Sequence, residues 1–141
     1  MKRLFTITAI LMASLCSFAQ NEQRPFQAYI YNQEYEVYLH INFYEQDVNV
    51  PGQALYGSLP GYLGKERNPF CWVITSARLK DERTAELSLI NDYGSEDFTA
   101  LLVQENDSLY TLKHLKGSAL KVPKNGRWQK LPGTIQFKRK R

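Results

Sequence analysis

Apolar and polar residues alternate strictly over residues 35–44. Val37 and Leu39 fall on one side of an extended chain, and Glu36 and His40 fall on the other. A period of two residues is typical of a β-strand with one buried face. The segment therefore predicts a long, half-buried strand.

Eight more runs rich in β-branched or aromatic residues share this character, and none of them has a helical period. They lie at 48–50, 55–59, 71–79, 85–90, 98–104, 109–115, 119–122 and 134–138. Short turn signals such as Pro51-Gly52, "PKNG" and Pro132-Gly133 separate them. Strands joined by hairpins form an antiparallel meander, which must close or fold over to cover its apolar face. We predict an all-β fold, a small lipocalin-like barrel of about eight strands, with a β-sandwich as the alternative.

Charge supports closure of the barrel. Residues 20–107 carry 14 acidic and 6 basic side chains, whereas residues 108–141 carry 10 basic and no acidic ones. Closure sets the first strand beside the last, and we expect Glu34 and Glu36 to lie opposite Lys138 and Lys140. The alternative is that both segments are solvated edges.

The first 19 residues predict a cleaved secretory signal, with Lys2 and Arg3 before an apolar run and a small residue, Ala19, at the end. The bulky Leu15 argues against lipidation of Cys16. We expect residues 20–141 to form a single domain, exported to the periplasm or outside the cell, with no transmembrane anchor.

Cys71 is the one cysteine of that domain, so we expect no internal disulfide. No histidine lies near Cys71 in sequence, and a buried thiol beside aromatic neighbours is the favoured interpretation.

The acidic stretch "NDYGSED" is best interpreted as a turn. Asn91 and Asp92 can cap backbone donors, and Gly94 can adopt a positive φ. The spacing does not match a calcium loop. Glu96 and Asp97 are adjacent on an incipient strand, so they point to opposite faces and cannot flank one bond.

His40 and His114 lack the cysteine or third histidine partners of a zinc site and the nucleophile of a hydrolase. We therefore predict no enzyme activity, no catalytic residues, no metal and no cofactor. The basic end interleaves with Trp128 and Phe137, but an exported protein rarely meets nucleic acid, so no nucleic-acid partner is expected.

Tyrosine is unusually concentrated, with seven of nine residues before position 63. Tyrosine suits sugar stacking, lipid cavities and protein interfaces, and is also a good strand former. Tyr38, His40 and Tyr44 lie on the more polar side of their strand. Together with Trp72 they are the predicted ligand-binding residues.

The signal ending in "SFAQ" and the stretches "INDYGSEDFTALL" and "GRWQKLPGTIQFKRK" resemble uncharacterised small exported proteins of gut-type Gram-negative bacteria. The strand order is similar to that of lipocalin-like barrels, although the Gly-x-Trp pattern near the first lipocalin strand is missing. The resemblance implies an exported β-barrel and supplies no ligand.

Two functions remain open. The first is a non-enzymatic binding protein that holds a small apolar or glycan-like molecule in the barrel lumen or mouth, which predicts an open cavity lined by aromatics. The alternative is a protein-interaction module, such as an inhibitor of an exported enzyme, which acts through "QNEQRPFQAY" or the loop "LPGYLGKERNP". That alternative predicts a filled interior and exposed apolar loop tips. Oligomeric state is left open by the sequence.

Overall fold

The computed structural model of the protein describes residues 24–140, so the signal peptide predicted for residues 1–19 lies outside the described residues. Within this range the chain forms twelve β-strands and a short 3-10 helical turn, Ala54–Tyr56. The strands are β1 (Gln27–Asn32), β2 (Val37–Asn42), β3 (Val48–Asn49), β4 (Ser58–Leu59), β5 (Gly61–Lys65), β6 (Asn68–Leu79), β7 (Thr84–Asn91), β8 (Asp97–Gln104), β9 (Leu109–Gly117), β10 (Lys121–Lys124), β11 (Arg127–Lys130) and β12 (Thr134–Arg139). No helix of residues 24–140 is long and apolar enough to cross a bilayer.

Eight of these strands close into an antiparallel barrel in the order β1-β12-β9-β8-β7-β6-β5-β2. The predicted all-β, eight-stranded, lipocalin-like barrel is confirmed, and the sandwich alternative is wrong. The first and last strands do meet, since Ile30 pairs with Arg139 and Tyr31 with Lys138. The first strand is β1, however, and the strand predicted at residues 35–44 is β2, which pairs with β1 and β5.

The charge pairing proposed for this closure is wrong. The strand beside β12 is β1, which precedes the acidic segment. Glu34 lies in the turn between β1 and β2, and Glu36 forms an ion pair with Arg67 of the next hairpin. Backbone pairing of β1 with β12 therefore closes the barrel. Glu34 and Glu36 follow β1 in the chain and do not lie opposite Lys138 or Lys140.

The predicted loop "LPGYLGKERNP" is also wrong, because it contains β5, a barrel strand that is buried throughout. Gly61 in this strand has a φ of +155°, and a Cβ there would lie 2.3 Å from the carbonyl oxygen of His40. Only glycine permits so close an approach of β2 and β5. The missed β5 supplies the strand that joins β2 to β6.

The lumen is filled with side chains. Inward residues of β7 and β8, such as Leu87, Leu89, Ala100 and Leu102, are buried and alternate with outward residues that are partly exposed. The same core cluster includes aromatic side chains from other strands. A barrel of eight strands has an interior that side chains can fill completely.

Both ends of the barrel are covered. At one end, which we call the N-terminal end, Phe26 and Phe43 are buried and their rings stack at 5.4 Å. At the other, which we call the hairpin end, the segment after β9 folds back over the opening. It contributes Leu120, Val122 and Leu131 to the core cluster. Hydrophobic burial therefore continues across both openings.

A second, smaller apolar cluster lies outside the barrel. The short β3–β4 ribbon places Val48 and Val50 against Tyr62, Cys71 and Val73 on the outward faces of β5 and β6. This ribbon explains why β5 is buried on both faces.

Candidate functional site

The four predicted ligand-binding residues lie in three different places. Tyr38 and His40 project from the outer wall, Tyr44 lies at the N-terminal end, and Trp72 is in the core. The structure therefore brings only the first two together.

Tyr38 and His40 belong to an aromatic cluster on the outer wall with Tyr29 and Tyr62. Neighbouring ring centroids are 5.2 to 5.9 Å apart. Gly64 leaves room for the Tyr38 ring, since a Cβ there would lie 2.4 Å from it. Burial raises the pKa of Tyr62 well above its ordinary value, with a further contribution from Tyr38. These rings pack on one another and against the wall.

Tyr44 braces the N-terminal end. Its hydroxyl accepts a hydrogen bond of 3.1 Å from the backbone N–H of Phe26, and the Arg24 guanidinium lies 4.4 Å from its ring centroid. The residue borders an open cavity of about 720 Å³ beside Asp81 and Arg83. The Tyr44 hydroxyl thus has a structural partner already.

Trp72 is fully buried. Its ring meets that of Phe98 edge-on at 5.0 Å, and its Nε1–H donates a 2.8 Å hydrogen bond to the backbone carbonyl of Lys121. This bond ties the hairpin segment to β6. Trp72 also closes the floor of a surface cavity above it.

That cavity, which we call the rim cleft, is the most promising concave site at the hairpin end. It has a volume of about 350 Å³ and lies between the β7–β8 turn and the β10–β11 hairpin. Small-molecule sites typically occupy roughly 300 to 1,000 Å³. Its aromatic wall consists of Phe70, Tyr93 and Trp128.

Phe70 anchors the two exposed rings of this wall. Phe70 is 5% exposed, whereas Tyr93 is 70% and Trp128 is 53% exposed. The Phe70 centroid lies 5.0 Å from that of Trp128 and 6.0 Å from that of Tyr93. The two outer rings are 6.3 Å apart and nearly perpendicular, at 85°. Each presents apolar surface to solvent at the mouth of the barrel.

The polar wall of the rim cleft contains an ion pair between Lys121 Nζ and Glu96 Oε1 at 3.1 Å. Asn91 is buried, and its side-chain oxygen accepts hydrogen bonds from the backbone N–H groups of Ser95 and Glu96. Gly94 in the same turn has a φ of +74°. The predicted turn is therefore confirmed, and it places Glu96 in the lining of the cleft.

A second cavity of about 340 Å³ shares the same three aromatic side chains. It adds Asp92 and Arg127 to the lining. Burial raises the pKa of Asp92, and no group within residues 24–140 forms a hydrogen bond with its shielded Oδ1 atom. The aromatic wall thus serves two adjoining spaces, each with one carboxylate and one cation.

Outside these two cavities, the cysteine, the histidines and the carboxylates of residues 24–140 are the side chains to consider for nucleophilic or metal sites. Burial, and secondarily the charge of Asp92, raises the pKa of the Cys71 thiol to about 11. His114 stacks on Phe98 at 5.4 Å, and its Nε2 lies 2.9 Å from the carbonyl oxygen of Ser118. Between residues 24 and 140, no three His, Cys, Asp or Glu side chains converge as metal ligands.

Sequence reasoning named Trp72, which forms the floor of the rim cleft, but missed the residues of the walls because they come from separate elements. Tyr93 and Glu96 occur in a segment interpreted as a plain turn, and Trp128 in a basic stretch interpreted as solvated. The available signal was one aromatic residue in a turn, Tyr93, and one just after a turn, Trp128, but nothing in the sequence places those turns side by side.

Comparison of the chain with protein-family models, with curated proteins and with solved structures finds no match.

Proposed function

We propose that this chain is an exported, non-enzymatic binding protein that recognises its ligand in the rim cleft at the mouth of the barrel. The observation that carries the proposal is the pair of exposed rings, Tyr93 and Trp128, held on the buried Phe70 beside a cavity of about 350 Å³. Exposed aromatic residues in a concave, partly polar setting are typical of recognition sites. The proposal of export rests on the signal peptide predicted from the sequence of residues 1–19.

The mouth is favoured over the lumen because the lumen is packed. Core side chains from the barrel strands fill it, and buried residues at both ends cover the openings. A ligand inside would have to displace these side chains, at the cost of their packing.

A protein-interaction module is the second candidate. The packed interior favours it, and so does the loop after β3, where Leu55 is 104% and Tyr56 is 47% exposed. A fully exposed leucine on a loop tip is the kind of apolar side chain that a partner protein covers. The two candidates place the binding surface on different elements.

Native mass spectrometry of protein purified from its own periplasm or medium tests the proposal. We expect a bound molecule to remain with the wild type and with Leu55→Ser, and to be lost from Trp128→Ala. Loss from Leu55→Ser with retention by Trp128→Ala would reject the rim cleft in favour of the loop tip. An unliganded wild type would also count against the proposal.

A further inference from the structure

We infer that the rim cleft and the second cavity together bind a neutral oligosaccharide, with a sugar ring stacked on Trp128 or Tyr93. This inference rests on the proposed function, because it names the ligand class for the same site. Three features of the two cavities support it: the arrangement of the aromatic rings, the equal number of acidic and basic side chains in the lining, and the floor closed by Trp72.

The rings favour a ligand that stacks on one face at a time. Tyr93 and Trp128 stand at 85° to each other, so they form a corner and not a parallel slot. A flat aromatic ligand gains most from a slot, where both its faces are covered. A pyranose has an apolar C–H face and a hydroxyl edge, so it can stack on one ring of the corner and turn its edge to the polar wall. Phe70 fixes both rings edge-on or tilted and so preserves the corner.

The polar wall suits hydroxyl groups. Lys121 and Glu96 are 38% and 35% exposed, so donors and acceptors beyond their mutual contact remain accessible. A sugar hydroxyl both donates and accepts a hydrogen bond, and two neighbouring hydroxyls can engage both members of the pair. An anionic group that contacted both side chains would be repelled by Glu96, and a cationic group would be repelled by Lys121.

The second cavity repeats this balance. Asp92 and Arg127 add one charge of each sign to the same aromatic wall. Because two adjoining cavities share this wall, the ligand is expected to extend over more than one ring. The absence of net charge in these linings favours a neutral oligosaccharide over an acidic one.

The floor argues against a peptide. Peptide recognition commonly depends on an apolar side chain that enters a desolvated pocket. Here the floor is closed by Trp72, which is 0% exposed and hydrogen-bonded to the backbone of Lys121. Above this floor the lining is partly polar and carries the Lys121–Glu96 ion pair, which suits sugar hydroxyls better than an apolar side chain.

An array of neutral, sialylated and sulfated oligosaccharides, followed by titration calorimetry with the sugars that bind, tests this inference. We expect the wild type to bind a neutral oligosaccharide. Trp128→Ala or Tyr93→Ala should weaken binding tenfold or more, as is typical when a central aromatic contact is truncated. Glu96→Gln should weaken it severalfold, because it removes the charge that strengthens the hydrogen bonds.

Two variants serve as controls. Glu86→Gln removes the carboxylate of an ion pair with Arg78 on the outer wall, at 2.5 Å, and Leu115→Ala removes an exposed apolar side chain that lines neither cavity. Both should bind like the wild type.

The outcomes separate the two proposals. If the wild type binds no neutral oligosaccharide while its native ligand still depends on Trp128, the saccharide assignment fails and the proposed function stands. Capture of a peptide through Trp128 would have the same meaning. If a sugar binds equally well to Trp128→Ala and Tyr93→Ala, the rim cleft is the wrong site and both proposals fail.

Discussion

At the scale of single residues, the side of the barrel wall that a side chain faces decides which residues bury it. Cys71 points outward from β6, yet it is buried because the β3–β4 ribbon covers it together with Val73. Trp72, its neighbour, points inward and is part of the core. Two consecutive residues thus belong to two different apolar clusters, as the period of a strand requires. The ribbon, and not the barrel itself, therefore shields the thiol from solvent.

The Cys71 thiol should therefore be unreactive in the native protein. Its pKa is raised from 9.0 to about 11, so little thiolate exists at pH 8. We expect Ellman's reagent to label it only on the timescale of unfolding. Because the folded-state pKa is the higher one, stability should also fall as pH rises from about 9 to 11, where the unfolded thiol ionises first.

Urea unfolding at pH 8 and pH 10.5 measures the second effect. Cys71→Ser lacks the titrating thiol and should lose less stability over this interval than the wild type. Rapid labelling of the folded protein would show that the ribbon opens independently of the barrel.

At the scale of elements, the β10–β11 hairpin closes one end of the barrel. Asn125 and Gly126 both have positive φ, at 53° and 77°, the geometry of a tight two-residue hairpin turn. Leu120, Val122 and Leu131 then reach the core cluster. The hairpin, which we call the plug, thus covers the opening with its inner side. Its outer side presents Trp128 at the rim cleft.

Leu131→Ala should destabilise the protein by about 2 to 5 kcal/mol, the usual cost of truncating a buried leucine. Leu131 is 4% exposed, whereas Leu115 is 47% exposed. Leu115→Ala is therefore the matched control, expected to change the free energy of unfolding by about 0.5 kcal/mol or less. Urea titration monitored by circular dichroism compares them. Equal effects of the two substitutions would mean that the plug does not contribute to the core.

Elements with one buried face were predictable from the sequence, and elements that break this pattern were not. In β7 and β8 every second residue is buried, so the alternation of apolar residues identifies them. β5 has no such alternation because both of its faces are covered and two of its five residues are glycine. β1 was not predicted because its outward residues include Tyr29 and Tyr31. These aromatic residues beside the buried Ile30 obscure the alternation of apolar and polar positions. The rim cleft depends on contacts between turns, which periodicity does not encode.

At the scale of the whole molecule, closure of the barrel leaves recognition to its surface. The strands, the N-terminal segment and the hairpin together bury the core, and the exposed aromatic residues other than Tyr29 lie at the rim and on a loop. The two tryptophans of the chain divide between these regions, since Trp72 is 0% and Trp128 is 53% exposed. Each can therefore report on one region.

This division yields a test of whether the lumen admits apolar ligands. In Trp128→Phe the emission comes from Trp72 alone, which lies in the packed core. We expect this emission to be blue-shifted, poorly quenched by iodide and unchanged by a long-chain fatty acid. The physical reason is that core side chains occupy the lumen, and making room for a ligand would cost the contacts of several buried residues.

The opposite result would have a definite meaning. A saturable shift of Trp72 emission on addition of fatty acid would show that the hairpin plug or the N-terminal segment can move aside to open the lumen. The Trp72 Nε1–H bond to the Lys121 carbonyl would then have to break, because it joins the plug to the wall. In that case ligand recognition would move from the rim cleft to the interior of the barrel. Without such a shift, the surface is the only place left for binding by the described residues 24–140.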